Sequence, residues 1–180
     1  LLTMILGSFL KKVIKDKVNS PGDLLANLNN FFKEALSNTE GYEVSEDGLD
    51  AIILEISNTD NAYKFASAGM PLILIQKEGH KILKGDKKGI GYSSTPLNYN
   101  FTNFDLKVRT NDLIYLASDG ICDQIGGKGI SFGNKRLVNL LESQKELEMH
   151  KQKEKFLAVF KKYIGSFHRR DDITLIGMKV

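Results

Sequence analysis

The sequence predicts an α+β protein with a mostly antiparallel sheet system. Three observations carry that expectation. Two amphipathic helical stretches come first, at residues 1–18 and 21–37. About six short strands follow, between residues 49 and 117, with connections too short for parallel crossovers. Two further helices and one last strand close the chain, with no internal repeat and no low-complexity tract.

Residues 1–18 place Leu2, Ile5, Leu6, Phe9, Leu10, Val13 and Ile14 at helical spacing, with Lys11, Lys12 and Lys15 opposite. The stretch opens on apolar residues with no cap, so its lead-in segment is expected to lie upstream in a longer protein. Its charges come last, the reverse of a signal peptide. Ser20 before Pro21 reads as an N-cap with proline at the first helical position. The helix that follows carries Leu24, Leu25, Leu28, Phe31, Phe32, Ala35 and Leu36 on one side. Residues 38–48 are a polar loop. Strands are expected at 49–56 and 62–68 around a turn at 58–61, then at 71–76 and 81–83 as a hairpin about Glu78-Gly79. A long polar loop covers 84–98, and a strand is expected at 100–108. Leu113 to Ala117 is a short apolar run after the turn signal Asn111-Asp112, which suits a strand buried on both faces. A Gly-rich loop at 126–129 lacks the Gly-Lys-Ser/Thr ending of a phosphate cradle. Helices at 134–142 and 146–163 and a strand at 173–180 complete the order, with Lys145, Lys151, Lys153 and Lys155 read as a solvated face.

Composition narrows the function. The 25 Lys+Arg against 22 Asp+Glu leave a net charge of +3, too small an excess to argue for a nucleic-acid binder. No run approaches the ~18 apolar residues of a membrane helix. Cys122 is the only cysteine, so no internal disulfide forms and a cytoplasmic setting is expected. Cys122 follows Asp119-Gly120 and reads either as a reactive thiol or as a small buried residue. His80, His150 and His168 stand at no zinc-ligand spacing.

The chemistry concentrates at two strand ends. Asp119 leaves a carboxylate at the C-terminal lip of the 113–117 strand. Asp171-Asp172 places carboxylates at the N-terminal lip of the last strand. Antiparallel neighbours would bring Asp119 and Asp171 to one end of a sheet, where converging carboxylates call for a hard divalent cation. Taken singly, each motif also has a purely structural reading, as a turn or as a solvated loop or cap.

Several pieces in order resemble the SpoIIE/RsbU-type serine phosphatase domain, a bacterial branch of the metal-dependent (PPM, type 2C) protein phosphatases. They are Leu1-Leu2-Thr3-Met4, Asp47-Gly48-Leu49-Asp50-Ala51, Phe65-Ala66-Ser67-Ala68-Gly69-Met70-Pro71, Gly89-Ile90-Gly91, Ala117-Ser118-Asp119-Gly120 and Asp171-Asp172-Ile173-Thr174-Leu175. The resemblance runs over residues 1–180 as a single domain, its C-terminal three quarters. It implies a four-layer α-β-β-α sandwich, truncated at its N-terminus. It also implies a binuclear Mn²⁺ or Mg²⁺ centre that activates water against phosphoserine or phosphothreonine. Carried over, Asp119 and Asp171 are the catalytic metal ligands, and Asp172 is a supporting residue. Asp50 and Gly69-Met70-Pro71 then belong to sheet architecture near the site. Arg169 and Arg170 are expected to flank its mouth and favour phosphate, or else to face water or pair with a nearby acid.

The family's earlier strand pair, its bridging Asp and its Gly-His-Gly turn have no counterpart between Leu1 and Val180. The residues present are therefore expected to hold one ion at most, weakly, and the chain to be inactive alone. The substrate implied is a phosphorylated anti-anti-sigma-like protein, with a sensor or regulatory domain upstream and membrane anchoring, if any, through upstream segments. Sheet edges exposed by the truncation predict a homodimer or larger assembly. Two other classes stand beside the phosphatase: a non-catalytic binding module that keeps the fold to hold a partner, and a carboxylate-based nuclease, which the modest charge opposes.

Overall fold

The computed structural model describes residues 2–13, 19–37, 48–57 and 62–180. Expectations placed on Leu1, residues 14–18, residues 38–47 (Asp47 among them) and the turn at 58–61 lie outside the described residues, as do the side chains of Leu2, Ile5 and Lys12. The elements run α1 (Leu2–Val13), α2 (Pro21–Ser37), β1 (Ala51–Ile56), β2 (Tyr63–Ala68), β3 (Pro71–Gln76), β4 (Gly79–Lys84), β5 (Phe104–Leu106), β6 (Leu113–Ala117), α3 (Asp119–Asp123), α4 (Gly133–Glu142), α5 (Met149–Ile164) and β7 (Leu175–Lys179). They form two compact units, each built on one sheet.

The first unit holds residues Leu1–Met70 and Lys84–Lys107, with strand order β1-β2-β5. Its core is Phe9, Leu25, Leu28, Phe32, Ala66, Ala68, Ile90 and Phe101. Ser20 caps α2 as expected, its Oγ accepting the Asp23 N–H at 3.2 Å and its carbonyl the Leu24 N–H at 3.1 Å. The helix buries the expected face. α1 departs from expectation at Leu10, which is 47% exposed, while Phe9 of the same expected face is buried. A polar residue joins the core where none was expected. Asn29 is fully buried, donating to Pro96 O at 2.9 Å and accepting the Gly91 N–H at 2.9 Å, so it anchors the long 84–98 loop to α2.

The strand expected at 100–108 forms only over Phe104–Leu106. Side chains draw the preceding residues away from the ladder. Asp86 takes the Thr102 N–H at 2.7 Å, while Asn103 accepts the Gly22 N–H at 2.8 Å and donates to Ser20 Oγ at 3.1 Å. Gly69 makes room for the Asp50 side chain. Gly69 has φ +83°, and a Cβ there would stand 2.3 Å from the Asp50 carboxyl carbon. A Cβ on Gly89 would come within 2.6 Å of the same carboxylate. Two glycines thus make room for one acid.

The second unit holds Pro71–Leu83 and Val108–Val180, with antiparallel order β4-β3-β6-β7. One face of β3 and β6 (Ile73, Ile75, Leu113, Tyr115) packs with Leu137, Val138 and Leu141 of α4 and Phe156 and Phe160 of α5. The other face, with Leu72, Leu74 and Ile114, is buried as well, so β6 is covered on both sides as its apolar run predicts. Phe132 makes edge-on contacts with Phe160 and Tyr163, at centroid distances of 5.2 and 5.0 Å. The hairpin, α4 and the final strand lie where expected, within a few residues. α5 starts at Met149 rather than 146, because Gln144 to Leu147 form a turn closed by Leu147 N–H to Gln144 O at 2.9 Å. Lys145 leaves the solvated face assigned to it and donates to Lys77 O at 2.9 Å.

Candidate active site

The site is built at one end of the β6–β7 pair. Their register, Leu113↔Lys179 to Ala117↔Leu175, sets the C-terminal end of β6 beside the N-terminal end of β7. Asp119 and Asp171 project from those two ends, as the antiparallel expectation required. Ser118 clasps the two segments together. Its N–H donates to Thr174 O at 3.0 Å, its Oγ donates to Asp172 O at 3.0 Å, and the same Oγ accepts the Thr174 N–H at 2.9 Å. Gly120 completes the approach. A Cβ there would lie 2.3 Å from Asp172 O and 3.2 Å from Asp171 Cβ, so only glycine lets the two segments lie in backbone contact.

Asp119 opens the short helix α3, which the sequence hides because five residues are too few for a periodic pattern. The Asp171 Oδ1 accepts the Asp172 N–H at 2.7 Å, which fixes the direction of that carboxylate. Both acids are exposed to solvent, as are Asp172, Arg169 and Arg170. Among the described residues neither arginine makes an ion pair. Gln124, fully buried after α3, donates to His168 O at 3.1 Å and so ties the end of that helix to the segment leading into Arg169. Cys122 is half-buried, its thiol donating to Asn134 Oδ1 at 3.2 Å. Burial, then Asp123 and Asp119, push its pKa up, which keeps the thiol neutral and disfavours the reactive-thiol reading.

The roles of Ser118, Gly120 and Gln124 were not legible beforehand. Ser118 and Gly120 sit inside a motif chosen for its carboxylate, and nothing in the spacing says which neighbour closes the gap. Gln124 is a lone buried amide with no pattern around it.

The donor set fits one hard divalent ion. Two carboxylates held at neighbouring strand ends suit Mg²⁺ or Mn²⁺ with water completing the shell. Among the described residues no group of three His, Cys, Asp or Glu side chains is arranged to hold a metal.

Comparison with known proteins defines the class first. The fold is that of the PP2C-type phosphatase domains. The SiaA PP2C domain of Pseudomonas aeruginosa superposes with a TM-score of 0.83 at 24% identity, over 99% of this chain and 69% of that one. The PP2C phosphatase domain of the cell fate determinant SpoIIE from Bacillus subtilis, solved with a fragment of its regulatory domain, gives 0.67 at 16% identity, over 99% of this chain and 49% of that one. The catalytic domain of the serine/threonine protein phosphatase PstP, in complex with 2 manganese ions, gives 0.60 at 12% identity, over 98% and 79%. Residues 1–180 match the family of Stage II sporulation protein E (SpoIIE) throughout, and the chain belongs to that family. No curated protein sequence matches it. Among the described residues no helix is long and apolar enough to cross a membrane.

Proposed function

We propose that this chain is the C-terminal part of a metal-assisted phosphoprotein phosphatase, with Asp119 and Asp171 as metal ligands. The observation that carries the reading is the clasp by which Ser118 and Gly120 hold the segments bearing Asp119 and Asp171 in backbone contact in a SpoIIE-family chain. A divalent ion bound there would supply Lewis-acid activation of a phosphoryl oxygen or a bound water. The chain's own part is to hold two oxygens at fixed strand ends and to present Arg169 and Arg170 beside them as forked phosphate donors. The substrate class that fits the family is a phosphoserine on a small bacterial regulatory protein of the anti-anti-sigma type. An upstream sensor domain would govern access, and the setting would be cytoplasmic.

On this reading residues 1–180 alone are inactive, because the family's two-metal chemistry needs a bridging carboxylate that the resemblance assigns to none of them. The second reading is a phosphatase-like binding module. One experiment separates the two. Mn²⁺ is titrated into the isotopically labelled chain, and broadening of amide resonances is followed. Resonances of Asp119 and Asp171 should broaden first, and Asp171→Ala should abolish the effect. A chain extended upstream into its parent frame should then hydrolyse a phosphoserine peptide in a manner that Asp119→Ala removes. Broadening elsewhere, or none, would reject the metal assignment and leave the binding module.

A further inference from the structure

We propose that Gln124 is a positioning residue of the candidate site. Its amide is the second anchor of the segment that carries Arg169, Arg170 and Asp171, and the placement of those three residues depends on it. The anchoring itself rests on burial and hydrogen bonds. What the anchoring is for rests on the metal-site reading above.

α3 is five residues long and stands between two polar residues, Ser118 before Asp119 and Gln124 after Asp123. Each of the two reaches across to the chain that enters β7. Ser118 Oγ donates to Asp172 O at 3.0 Å and accepts the Thr174 N–H at 2.9 Å. Gln124 Nε2 donates to His168 O at 3.1 Å, 44 residues along the chain. Between the two gripped carbonyls stand Arg169, Arg170 and Asp171. They precede β7, which starts at Leu175, so no strand ladder fixes them. A short irregular span held at both ends keeps far fewer conformations than one held at a single end. The helix that presents Asp119 also sets the separation of the two grips, so one element places both acids.

Gln124 is itself firmly seated. It is fully buried, and its own carbonyl accepts the Phe132 N–H at 2.8 Å. An antiparallel bridge between Ile125 and Ser131 follows directly. Gly126 then lays this loop on the end of α5, where a Cβ would stand 2.5 Å from Tyr163 Cε1 and 2.6 Å from Tyr163 O. The amide nitrogen also donates to Ile125 O at 3.0 Å. The amide oxygen, by contrast, is buried with no partner among the described residues. A buried acceptor left unpaired costs stability, and an apolar side chain of the same size would fill the space without that cost. What the amide supplies, and an apolar side chain cannot, is the bond to His168 O. Gln144 provides an internal control. It is 2% exposed in the same unit, and neither atom of its amide has a partner among the described residues.

The test compares Gln124→Met with Gln144→Met, by amide nitrogen relaxation of the metal-free chain and by Mn²⁺ titration. In the unsubstituted chain the order parameters at Arg169, Arg170 and Asp171 should lie near ~0.85, the value of rigid backbone. In Gln124→Met they should fall below about 0.6, with those of β6 and α4 unchanged. The Mn²⁺ Kd should rise about tenfold or more, as when a group that orients a metal ligand is removed. Gln144→Met should match the unsubstituted chain in both readouts. Order at residues 169–171 that survives Gln124→Met overturns the proposal. So does a loss that spreads through the unit or recurs in Gln144→Met, since either is general damage to the core. Lost order with an unchanged Mn²⁺ affinity overturns the positioning role. An unsubstituted chain that binds no Mn²⁺ at Asp119 and Asp171 defeats the metal assignment instead, and the order parameters still decide the anchor. Should Gln124→Met not fold, Gln124→Asn, whose amide stops one methylene short of His168, must show the same local loss.

Discussion

Replacing Gly120 with alanine tests whether backbone contact creates the carboxylate pair. The added Cβ would stand 2.3 Å from Asp172 O, 3.1 Å from Asp172 C and 3.2 Å from Asp171 Cβ. The nearest atoms are main chain, so no side-chain rotation relieves the overlap. Restoring ordinary contact moves the 171–172 segment by about 1 Å, and overpacking of this kind costs about 1–3 kcal/mol. The movement also strains the Ser118 clasp, whose bonds contribute about 0.5–1.5 kcal/mol each. For a protein of this length, each kcal/mol lowers the melting temperature by about 2–4 °C. Metal–oxygen bonds of about 2.0–2.6 Å do not tolerate a shift of that size in one of two protein ligands. Gly120→Ala should therefore melt several degrees lower and lose Mn²⁺-induced broadening at Asp119 and Asp171. Gly127→Ala, with nothing within 4 Å of the added atom, should change neither. The two readouts are thermal unfolding and the Mn²⁺ titration. A Gly120→Ala variant that melts and binds like the parent would show that the two segments are not held by contact at this glycine.

Other substitutions probe the rest of the molecule. In a catalytically complete parent, Arg170→Glu should raise KM for a phosphoprotein more than twofold with a smaller effect on kcat, and steady-state kinetics showing no such rise would remove the arginine from substrate binding. Burial pushes the Tyr115 phenol up to about 12, and its hydroxyl donates to Gln152 Oε1. A raised folded-state pKa contributes stability that is present below the unfolded value near 10 and is lost as pH climbs towards 12. Tyr115→Phe should flatten that part of the alkaline limb in a denaturant series against pH, while lowering stability at neutral pH by leaving the buried Gln152 acceptor unpaired, at a cost of about 1–3 kcal/mol. Asn29→Leu strands the buried Gly91 N–H, at a cost of about 1–3 kcal/mol, and releases the Pro96 carbonyl of an exposed residue to water. Faster amide exchange should follow in residues 89–98 and not in β6.

What could be read in advance divides by range along the chain. α2 was legible because Ser20, Pro21 and a seven-residue apolar face act within a few turns. β6 and β7 were legible as strands, and antiparallel pairing alone carried Asp119 and Asp171 to the same end. The features that went unseen are long-range and polar. Asn29 reaches 62 residues along the chain to Gly91, Asn103 reaches 81 back to Gly22, and Ser118 reaches 54 on to Asp172. Each is one side chain satisfying a main-chain group that its local strand or helix leaves open, and no periodicity announces such a pairing. The difference bears on the site itself. Acidic residues at strand ends are common, and a pair of them attracts a cation only when something holds the two ends in register to within a bond length. Here a hydroxyl and an absent methyl group do so. On the proposed reading the chemistry would be carried by the two aspartates, and their standing as neighbours depends on Ser118 and Gly120.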